Sequence, residues 1–320
     1  MTHNYFWIIW RRLISNTALP VGVTVFERGW LSSNNILICG RESCALVDSG
    51  YSTHSSQTLA LVASALNGRP LDLLLNTHLH SDHCGGNAAL QQAYPGLRTL
   101  IPPGHAAFVK DWNPEALTYT PTGQACPQFR FDAVLHSGTE MRLGDTLWQV
   151  HAAPGHDPHS VILFEPVSRV LISADALWER GFGVVFPELE GVVAFDEVGL
   201  TLDLIETLSP AMVIPGHGSV FTSVAASIAA ARARLRSFTE NPSWHIVHAA
   251  KVLLKFKLLE LQSQPHDSLI AWAQATTYFA QIHQKHFQQT DMHAWVGGLI
   301  DDLVRVRAAT RDGQMIHNAG

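Results

Sequence analysis

Hydrophobic and polar positions divide the chain into two parts with different periodicity. From residue 21 to about residue 221, short apolar runs of strand length alternate with segments whose apolar residues recur at helical spacing. The runs predict strands at 21–27, 35–39, 44–48, 71–75, 97–101, 130–135, 146–151, 160–164, 170–173 and 213–214. The helical spacing predicts helices at 56–66, 87–93, 104–111 and 197–208. Strands that meet helices in this way indicate an α/β domain.

After residue 221 the strand alternation stops. Residues 223–238, 244–261, 269–287 and 292–309 each carry apolar residues at helical spacing, and Pro242 and Pro265 mark two of the breaks. A chain of 320 residues is long for one compact domain and short for two full ones. We therefore predict an N-terminal extension (1–20), an α/β domain (21–221) and an all-α C-terminal region (222–320). The last either borders the functional site of the α/β domain, forms a dimer face or is a plain buttress.

Three imidazoles and one carboxylate fall within six residues directly after the strand at 71–75. They are His78, His80, Asp82 and His83, and the glycine pair Gly85 and Gly86 follows them. On a loop that leaves a strand, the first two histidines can point into one cleft, while the next two side chains face a second position. Neutral imidazole and carboxylate suit zinc, and suit iron or manganese less exclusively. The sequence therefore predicts a metal site at this strand end.

The string His-x-His-x-Asp-His with its glycine pair resembles the signature of the metallo-β-lactamase-fold hydrolase superfamily, without departures. Three later segments, each after a predicted strand, resemble the remaining ligands of that family in the family's order: Pro154-Gly155-His156, Asp175, and Gly216-His217-Gly218. The resemblance spans about residues 21–221 and implies the family's four-layer αββα sandwich. It further implies one metal held by His78, His80 and His156, and a second held by Asp82, His83 and His217, with Asp175 as the bridge.

The residue at position 175 distinguishes two branches of that family. The branch that most often hydrolyses β-lactams places a cysteine in the second metal site, whereas none of the four cysteines of this chain occupies that point in the order. Asp175 therefore makes the chain resemble the glyoxalase II, lactonase and phosphodiesterase branch. Penicillin cleavage is the less favoured activity.

A two-metal site of this kind lowers the pKa of a shared water from near 16 toward about 7 and supplies a hydroxide nucleophile. The sequence contains no Gly-x-Ser-x-Gly elbow, which fits a mechanism without a serine nucleophile. Asp82 is the predicted residue that orients the hydroxide and carries its proton. His159 is a second catalytic candidate, because glyoxalase-like relatives place another histidine four residues after the ligand, and here it follows His156 by three. A structural role for His159 is the alternative.

Charge divides at the same boundary as periodicity. Residues 1–221 hold 11 Lys and Arg against 20 Asp and Glu, a net of −9, while residues 222–320 hold 10 against 7, a net of +3. A net-acidic catalytic part disfavours a nucleic-acid substrate, because phosphates need a basic track. Lys251, Lys255 and Lys257 lie close together in the basic part and keep RNA processing as a minor alternative.

Three further features concern location and access. The apolar run at 5–12 is too short to span a bilayer, and its arginines follow the run, the reverse of a secretory signal. Together with four scattered cysteines without paired spacing, this predicts a cytoplasmic protein. Cys84 is interpreted as a neighbour of the ligands without a role of its own.

The long loop at 112–129, with Tyr119 and three prolines, is either a mobile flap over the substrate or a packed segment.

The leading hypothesis is a dinuclear zinc hydrolase, with iron or manganese as alternative metals, that acts on an ester, thioester or lactone of a small molecule. A mononuclear iron persulfide dioxygenase is the second hypothesis, since such enzymes resemble the same fold and use a subset of the ligands. A phosphodiesterase or endoribonuclease is the third. We expect a small-molecule substrate as the partner and no association with a membrane. The sequence also permits a homodimer.

Overall fold

The computed structural model describes residues 19–319, so the predicted apolar run at 5–12 and most of the N-terminal extension lie outside the described residues. Fourteen strands and twelve α-helices are described, named in chain order. Strands β1 to β6 are Val23–Phe26, Asn35–Cys39, Cys44–Val47, Leu73–Leu75, Arg98–Ile101 and Ala133–Val134. Strands β7 to β11 are Glu140–Leu143, Thr146–Ala152, Val161–Glu165, Val170–Ala174 and Met212–Pro215.

Helices α1 to α7 are Ser55–Leu66, Ser81–Cys84, Asn87–Ala93, Ala106–Lys110, Tyr119–Thr122, Phe186–Glu190 and Phe195–Leu208. Helices α8 to α12 are Val224–Glu240, Pro242–Leu261, His266–Ala275, Thr277–Ile282 and Met292–Arg305. A 3₁₀ turn at Ser52–His54 precedes α1, and a π-helical segment at His283–Phe287 follows α11. Strands β12 to β14 are Ser263–Pro265, Ala309–Asp312 and Met315–Asn318.

Two sheets form the centre of the α/β part. The first has the order β1-β2-β3-β4-β5-β6, antiparallel up to β3 and parallel from β3 onward. The second has the order β11-β10-β9-β8-β7 and is antiparallel except for the parallel pair β10 and β11. Most strands are nearly continuous apolar runs, which is typical of sheets covered on both faces.

The packing of apolar side chains defines four layers. Between the sheets, Ile36, Val47 and Leu75 of the first sheet share one buried cluster with Val150 and Ile172 of the second. The outer face of the first sheet packs on α1 and α3, and the outer face of the second packs on α7 and α8. The αββα sandwich predicted from the family resemblance is therefore confirmed.

The predicted helical C-terminal region is also confirmed, with one addition. Its helices share a buried cluster in which α9, α10 and α12 supply most of the side chains. The structure adds a small antiparallel sheet of order β12-β14-β13, which the helical periodicity did not predict. Its strands are short, and Pro265, read from sequence only as a break, lies in β12. The domain boundary near residue 221 stays a prediction.

Two expectations about single segments can be compared with the structure. Cys39 and Cys44, treated from sequence as unpaired, form a disulfide because they face each other at the end of the β2–β3 hairpin. The loop at 112–129 is packed, since Leu117, Tyr119 and Phe129 are buried against Leu79 and Ile101. Among the described residues, no helix combines the length and apolar character needed to cross a membrane.

Candidate metal centre

All seven predicted ligands meet at one edge of the two sheets. His78 and His80 follow β4, and the one-turn helix α2 carries Asp82 and His83. The other three ligands follow strands of the second sheet: His156 comes after β8, Asp175 after β10 and His217 after β11. Strand ends at a shared edge thus bring together side chains that lie up to 139 positions apart. Five of the seven are buried, and His80 and Asp82 are half-buried.

The first group consists of three imidazoles. His80 Nδ1 lies 2.9 Å from His156 Nε2, which in turn lies 3.2 Å from His78 Nε2. Burial lowers the pKa of His78 well below its usual value and lowers that of His80 to about 4. Neutral imidazoles can direct their nitrogen lone pairs at one common position. Such converging nitrogen donors suit a divalent metal ion such as zinc. The residues therefore fit a metal.

The second group contains two carboxylates and two imidazoles. His217 Nε2 lies 3.0 Å from Asp82 Oδ2, and His83 Nε2 lies 3.5 Å from Asp175 Oδ1 and 3.7 Å from Asp82 Oδ2. His83 Nε2 is fully buried and has no hydrogen-bond partner among the described residues. An orphaned buried nitrogen that faces two carboxylates is costly unless a cation binds there. This group also fits a metal.

Asp175 lies between the two groups. Its Oδ2 is 3.5 Å from His156 Nε2 of the first group and 3.9 Å from His217 Nε2 of the second. Burial opposes its charged form, but His217, His83 and His156 together hold its pKa well below the usual range. A carboxylate that stays ionised at this position can serve both groups, as the family resemblance implies for Asp175.

Hydrogen bonds on the far side of the rings orient three of the imidazoles. His83 Nδ1 donates to Asp48 Oδ2 at 2.8 Å, His156 Nδ1 donates to the Val184 carbonyl at 2.5 Å, and His217 Nδ1 donates to the Gly29 carbonyl at 3.2 Å. In each case Nε2 is the nitrogen left for the ligand group, an arrangement typical of metal-binding histidines.

Asp48 is a residue of the candidate site that the sequence analysis did not identify. Its carboxylate accepts from His83 and also from the Thr77 backbone N–H at 2.9 Å and the Thr77 hydroxyl at 2.8 Å. Burial opposes the charged form of His83, yet the carboxylates of Asp48, Asp82 and Asp175 together raise its pKa well above the usual value. The only sequence signal was a carboxylate at the end of the predicted strand 44–48, and many strand ends carry one.

His159 lies apart from the ligand groups. Its ring packs against Gly104 and meets the ring of His105 edge-to-face at a centroid distance of 4.6 Å. Its backbone N–H donates to Asp157 Oδ1 at 2.7 Å, and the other oxygen of that carboxylate lies 3.9 Å from His80 Nε2. Asp157 therefore links His159 to a ligand, and the catalytic role of His159 stays a prediction. Cys84 Sγ lies 3.1 Å from the Tyr119 hydroxyl, within a separate buried cluster.

A cavity of about 490 Å³ opens on the ligands. Two tryptophans border it on the side of His217: Trp30 stacks on that ring at 5.3 Å, and Trp178 Nε1 donates to Asp175 Oδ1 at 3.2 Å. Phe186 meets His80 edge-to-face on the other side. The ligands that line the cavity are His80, Asp82, His156, Asp175 and His217.

The opposite wall of the cavity comes from the C-terminal helices. Six residues along one face of α9 line it, together with Arg234 of α8; those of α9 are His248, Val252, Leu253, Lys255, Phe256 and Leu259. Tyr51 couples this wall to the α/β part, since its hydroxyl donates to Glu260 at 3.1 Å and accepts from the Ala125 N–H at 3.0 Å. The helical region is thus part of the candidate site.

A family model described as the metallo-beta-lactamase superfamily matches residues 28–217, more than half of the chain. The protein belongs to the metallo-beta-lactamase superfamily. This confirms the family resemblance on which the ligand assignment rests, although each residue's role as a metal ligand stays a prediction.

Two curated relatives illustrate the enzymes that the chain resembles. It is 32% identical over 161 residues to the hydroxyacylglutathione hydrolase of Anaeromyxobacter dehalogenans, and the aligned region covers 50% of this chain and 52% of that protein. It is 29% identical over 225 residues to the human acyl-coenzyme A thioesterase MBLAC2, and the aligned region covers 61% of this chain and 77% of that protein. The chain thus spans about half the length of the bacterial relative and about three quarters of the human one.

Solved structures agree on the fold. A metallo-beta-lactamase family protein from Thermus thermophilus superposes with a TM-score of 0.56 at 18% identity, covering 94% of this chain and all of that one. The protein TTHA1623, solved in a di-iron-bound form, superposes with a TM-score of 0.53 at 26% identity, covering 65% of this chain and 98% of that one.

Proposed function

We propose that the protein is a dinuclear, zinc-dependent hydrolase of acyl thioesters. The observation that carries the proposal is one cavity with two unlike walls. Five ligands of the two groups lie on one wall, and the other carries four apolar side chains of α9: Val252, Leu253, Phe256 and Leu259. A thioester has a polar carbonyl to be attacked and, in many cases, an apolar acyl group to be bound, so both walls have a use.

The metal assignment follows the two groups of side chains. His78, His80 and His156 would hold one ion, and Asp82, His83 and His217 would hold the other, with Asp175 shared. When bound, divalent ions supply Lewis acidity toward a carbonyl oxygen and lower the pKa of coordinated water toward about 7. Imidazole and carboxylate donors suit zinc, and the di-iron form of TTHA1623 supports iron as the alternative.

The chain's own residues supply positioning and proton transfer. Asp82 lines the cavity with Oδ2 3.0 Å from His217 Nε2, so it is the proposed acceptor for the proton of the attacking water. Trp30 and Trp178 cover His217 and limit the access of solvent on that side. Phe186 does the same beside His80.

Thioesters are favoured among the predicted substrate classes for two reasons. The activities for which the two relatives are named, hydroxyacylglutathione hydrolase and acyl-coenzyme A thioesterase, both concern thioesters. Val252, Phe256 and Leu259 give the wall opposite the ligands an apolar surface that suits an acyl chain. Burying each methylene of such a chain contributes about 0.8 kcal/mol.

The test combines metal analysis with a substrate panel. We expect the purified protein to carry close to two zinc ions per chain and to hydrolyse acyl-coenzyme A or acylglutathione thioesters. Lactones, β-lactams and phosphodiesters serve as comparisons, and activity should disappear on chelation and return with zinc. A protein that hydrolyses no thioester in its zinc-loaded or iron-loaded form would contradict the proposal, and oxygen consumption with glutathione persulfide would replace it by a dioxygenase.

A further inference from the structure

We propose that Arg234, supported by His248, binds an anionic group of the substrate, a carboxylate or a phosphate on the thiol carrier. This inference rests on the proposed thioester hydrolysis. Arg234 and His248 line the same cavity as Asp82, Asp175 and His217, so one molecule can contact the guanidinium and the ligand wall together.

Arg234 has no carboxylate partner among the described residues. Within residues 19–319, no Asp or Glu oxygen lies within 4.0 Å of the Arg234 guanidinium; its Nη2 donates to His248 Nε2 at 2.7 Å instead. Burial lowers the pKa of His248 to about 3, with Arg234 as the next cause, so this partner is neutral. A half-buried guanidinium therefore keeps its full positive charge toward the cavity.

A second arginine two positions earlier in α8 shows the contrast. Arg232 Nη2 lies 2.7 Å from Asp203 Oδ1 and 2.7 Å from Glu206 Oε2 of α7, so its charge is already neutralised on the protein surface. The two arginines share a helix and a residue type, and only Arg234 faces the cavity. Arg232 is therefore a matched control.

The Arg234 side chain is also held in place by its neighbours. Its guanidinium lies over the rings of Phe182 and Phe238, at 5.8 Å and 5.4 Å from the centroids. A side chain at position 181 would place its Cβ 2.7 Å from Arg234 Nη1, and Gly181, with φ +126°, leaves that space open. Aromatic faces and a neutral imidazole orient a guanidinium without neutralising it, which prepares it for an incoming anion.

Lys255 and Arg180 are the other Lys and Arg residues that line the cavity, and both differ from Arg234. Lys255 Nζ donates to the Ala308 and Ala319 carbonyls at 2.7 Å and to Asn318 Oδ1 at 2.5 Å, so its three donors are used by the C-terminal segment. Arg180 also lines the cavity but is exposed to solvent. Among the described residues, Arg234 is thus the half-buried cation of the cavity that lacks a carboxylate partner and still has N–H donors that no protein acceptor uses.

Two thiol carriers have the required chemistry. A glutathione-type thiol carries carboxylates, and a coenzyme A-type thiol carries phosphates; a guanidinium can bind either through paired N–H donors. The experiment distinguishes them with three thioesters of one acyl group: acylglutathione, acyl-coenzyme A and the uncharged acyl-N-acetylcysteamine.

We expect Arg234→Met to raise KM about 10- to 100-fold for whichever charged thioester is bound, the loss of one charge-assisted hydrogen-bonded contact. The KM for acyl-N-acetylcysteamine and kcat for all three should change less than about threefold. Arg234→Lys should restore part of the affinity, and Arg232→Met should change neither constant. His248→Glu keeps the arginine but gives it a carboxylate, and it should raise KM as Arg234→Met does.

Binding of unreactive probes separates this inference from the proposed function. S-methylglutathione and desulfo-coenzyme A, titrated calorimetrically into the metal-loaded protein, need no turnover. Tighter binding of one probe to the wild type than to Arg234→Met supports the anion site even if no thioester is hydrolysed. The inference is overturned if both probes bind the two proteins equally, or if Arg234→Met slows acyl-N-acetylcysteamine as much as the charged thioesters while its melting temperature is unchanged.

Discussion

The two walls of the cavity differ in how their side chains are held. On the ligand wall, most polar groups are buried and three of the five imidazoles are oriented from behind, as the hydrogen bond of 2.8 Å between His83 and Asp48 illustrates. On the α9 wall, the side chains are largely apolar and only partly buried, and Val252 is 36% exposed. The rigidly held ligand wall suits a reaction that is the same for every substrate. The partly exposed α9 wall suits the selection of a substrate. Variants on the two walls should therefore change different kinetic constants.

The largest effect is expected from a ligand. His83→Ala removes an imidazole whose two nitrogens face Asp48 on one side and the second ligand group on the other. Hydrolysis should fall by more than about 100-fold, beyond the loss typical of residues behind a ligand, and metal content should drop by about one ion per chain. His136→Ala, at an exposed position, is the control. Retention of two ions and of activity in His83→Ala would refute the assignment.

A smaller loss is expected from the carboxylate behind that ligand. Asp48→Asn keeps the shape of the side chain but weakens the acceptor for His83 Nδ1, so activity or metal affinity should fall by about 10- to 100-fold. Asp132→Asn is the matched control. Asp132 accepts a hydrogen bond of 2.7 Å from the Thr99 backbone N–H in the same sheet, away from the ligands. Equal activities of both variants in a metal titration would remove Asp48 from the site.

A change on the α9 wall should alter substrate choice rather than chemistry. Val252→Asp places a charge on the apolar wall of the cavity, so KM for long acyl chains should rise about 10-fold, as expected from roughly 1–2 kcal/mol of lost apolar burial. KM for acetyl thioesters and kcat should hardly change. Trp244→Ala, at a residue of α9 that is 60% exposed and does not line the cavity, is the comparison. A uniform loss for short and long chains would argue against an acyl-binding wall.

The smallest effect on activity is expected at the disulfide. Cys39→Ser opens a bridge between residues five positions apart, at the end of the β2–β3 hairpin. The free energy of unfolding should fall by roughly 2 kcal/mol, the chain-entropy value for so short a loop, while kcat/KM stays constant. Cys126→Ser, at a free cysteine, should leave the denaturation midpoint unchanged. A large loss of activity in Cys39→Ser would show that the hairpin positions the ligands.

The ligand wall could be found from sequence because its signals are local. His78 to His83 form one short string, and His156, Asp175 and His217 each follow a recognisable apolar strand. Asp48 was missed because its partner His83 lies 35 residues away and only the meeting of β3 and β4 brings them together. The layers of the fold were predictable for the same reason as the ligands, since each sheet is built from short apolar runs.

The α9 wall could not be found in this way. Helical spacing identifies α8 and α9 but does not indicate which face meets the cavity, so Arg232 and Arg234 look equivalent in sequence. The disulfide depends on hairpin register, which places Cys39 opposite Cys44. The small C-terminal sheet depends on pairing between β12 and β14, about 50 residues apart. Each of these features is decided by tertiary contacts.

The central claim, that these seven side chains form a two-metal centre, is tested most directly by anomalous diffraction from crystals of the zinc-loaded protein. We expect two zinc peaks at the sheet edge. One should lie about 2.0–2.2 Å from nitrogens of His78, His80 and His156, and the other at a similar distance from Asp82, His83 and His217, with Asp175 between them. A single peak, or no peak, at these residues in a crystal of active enzyme would contradict the claim.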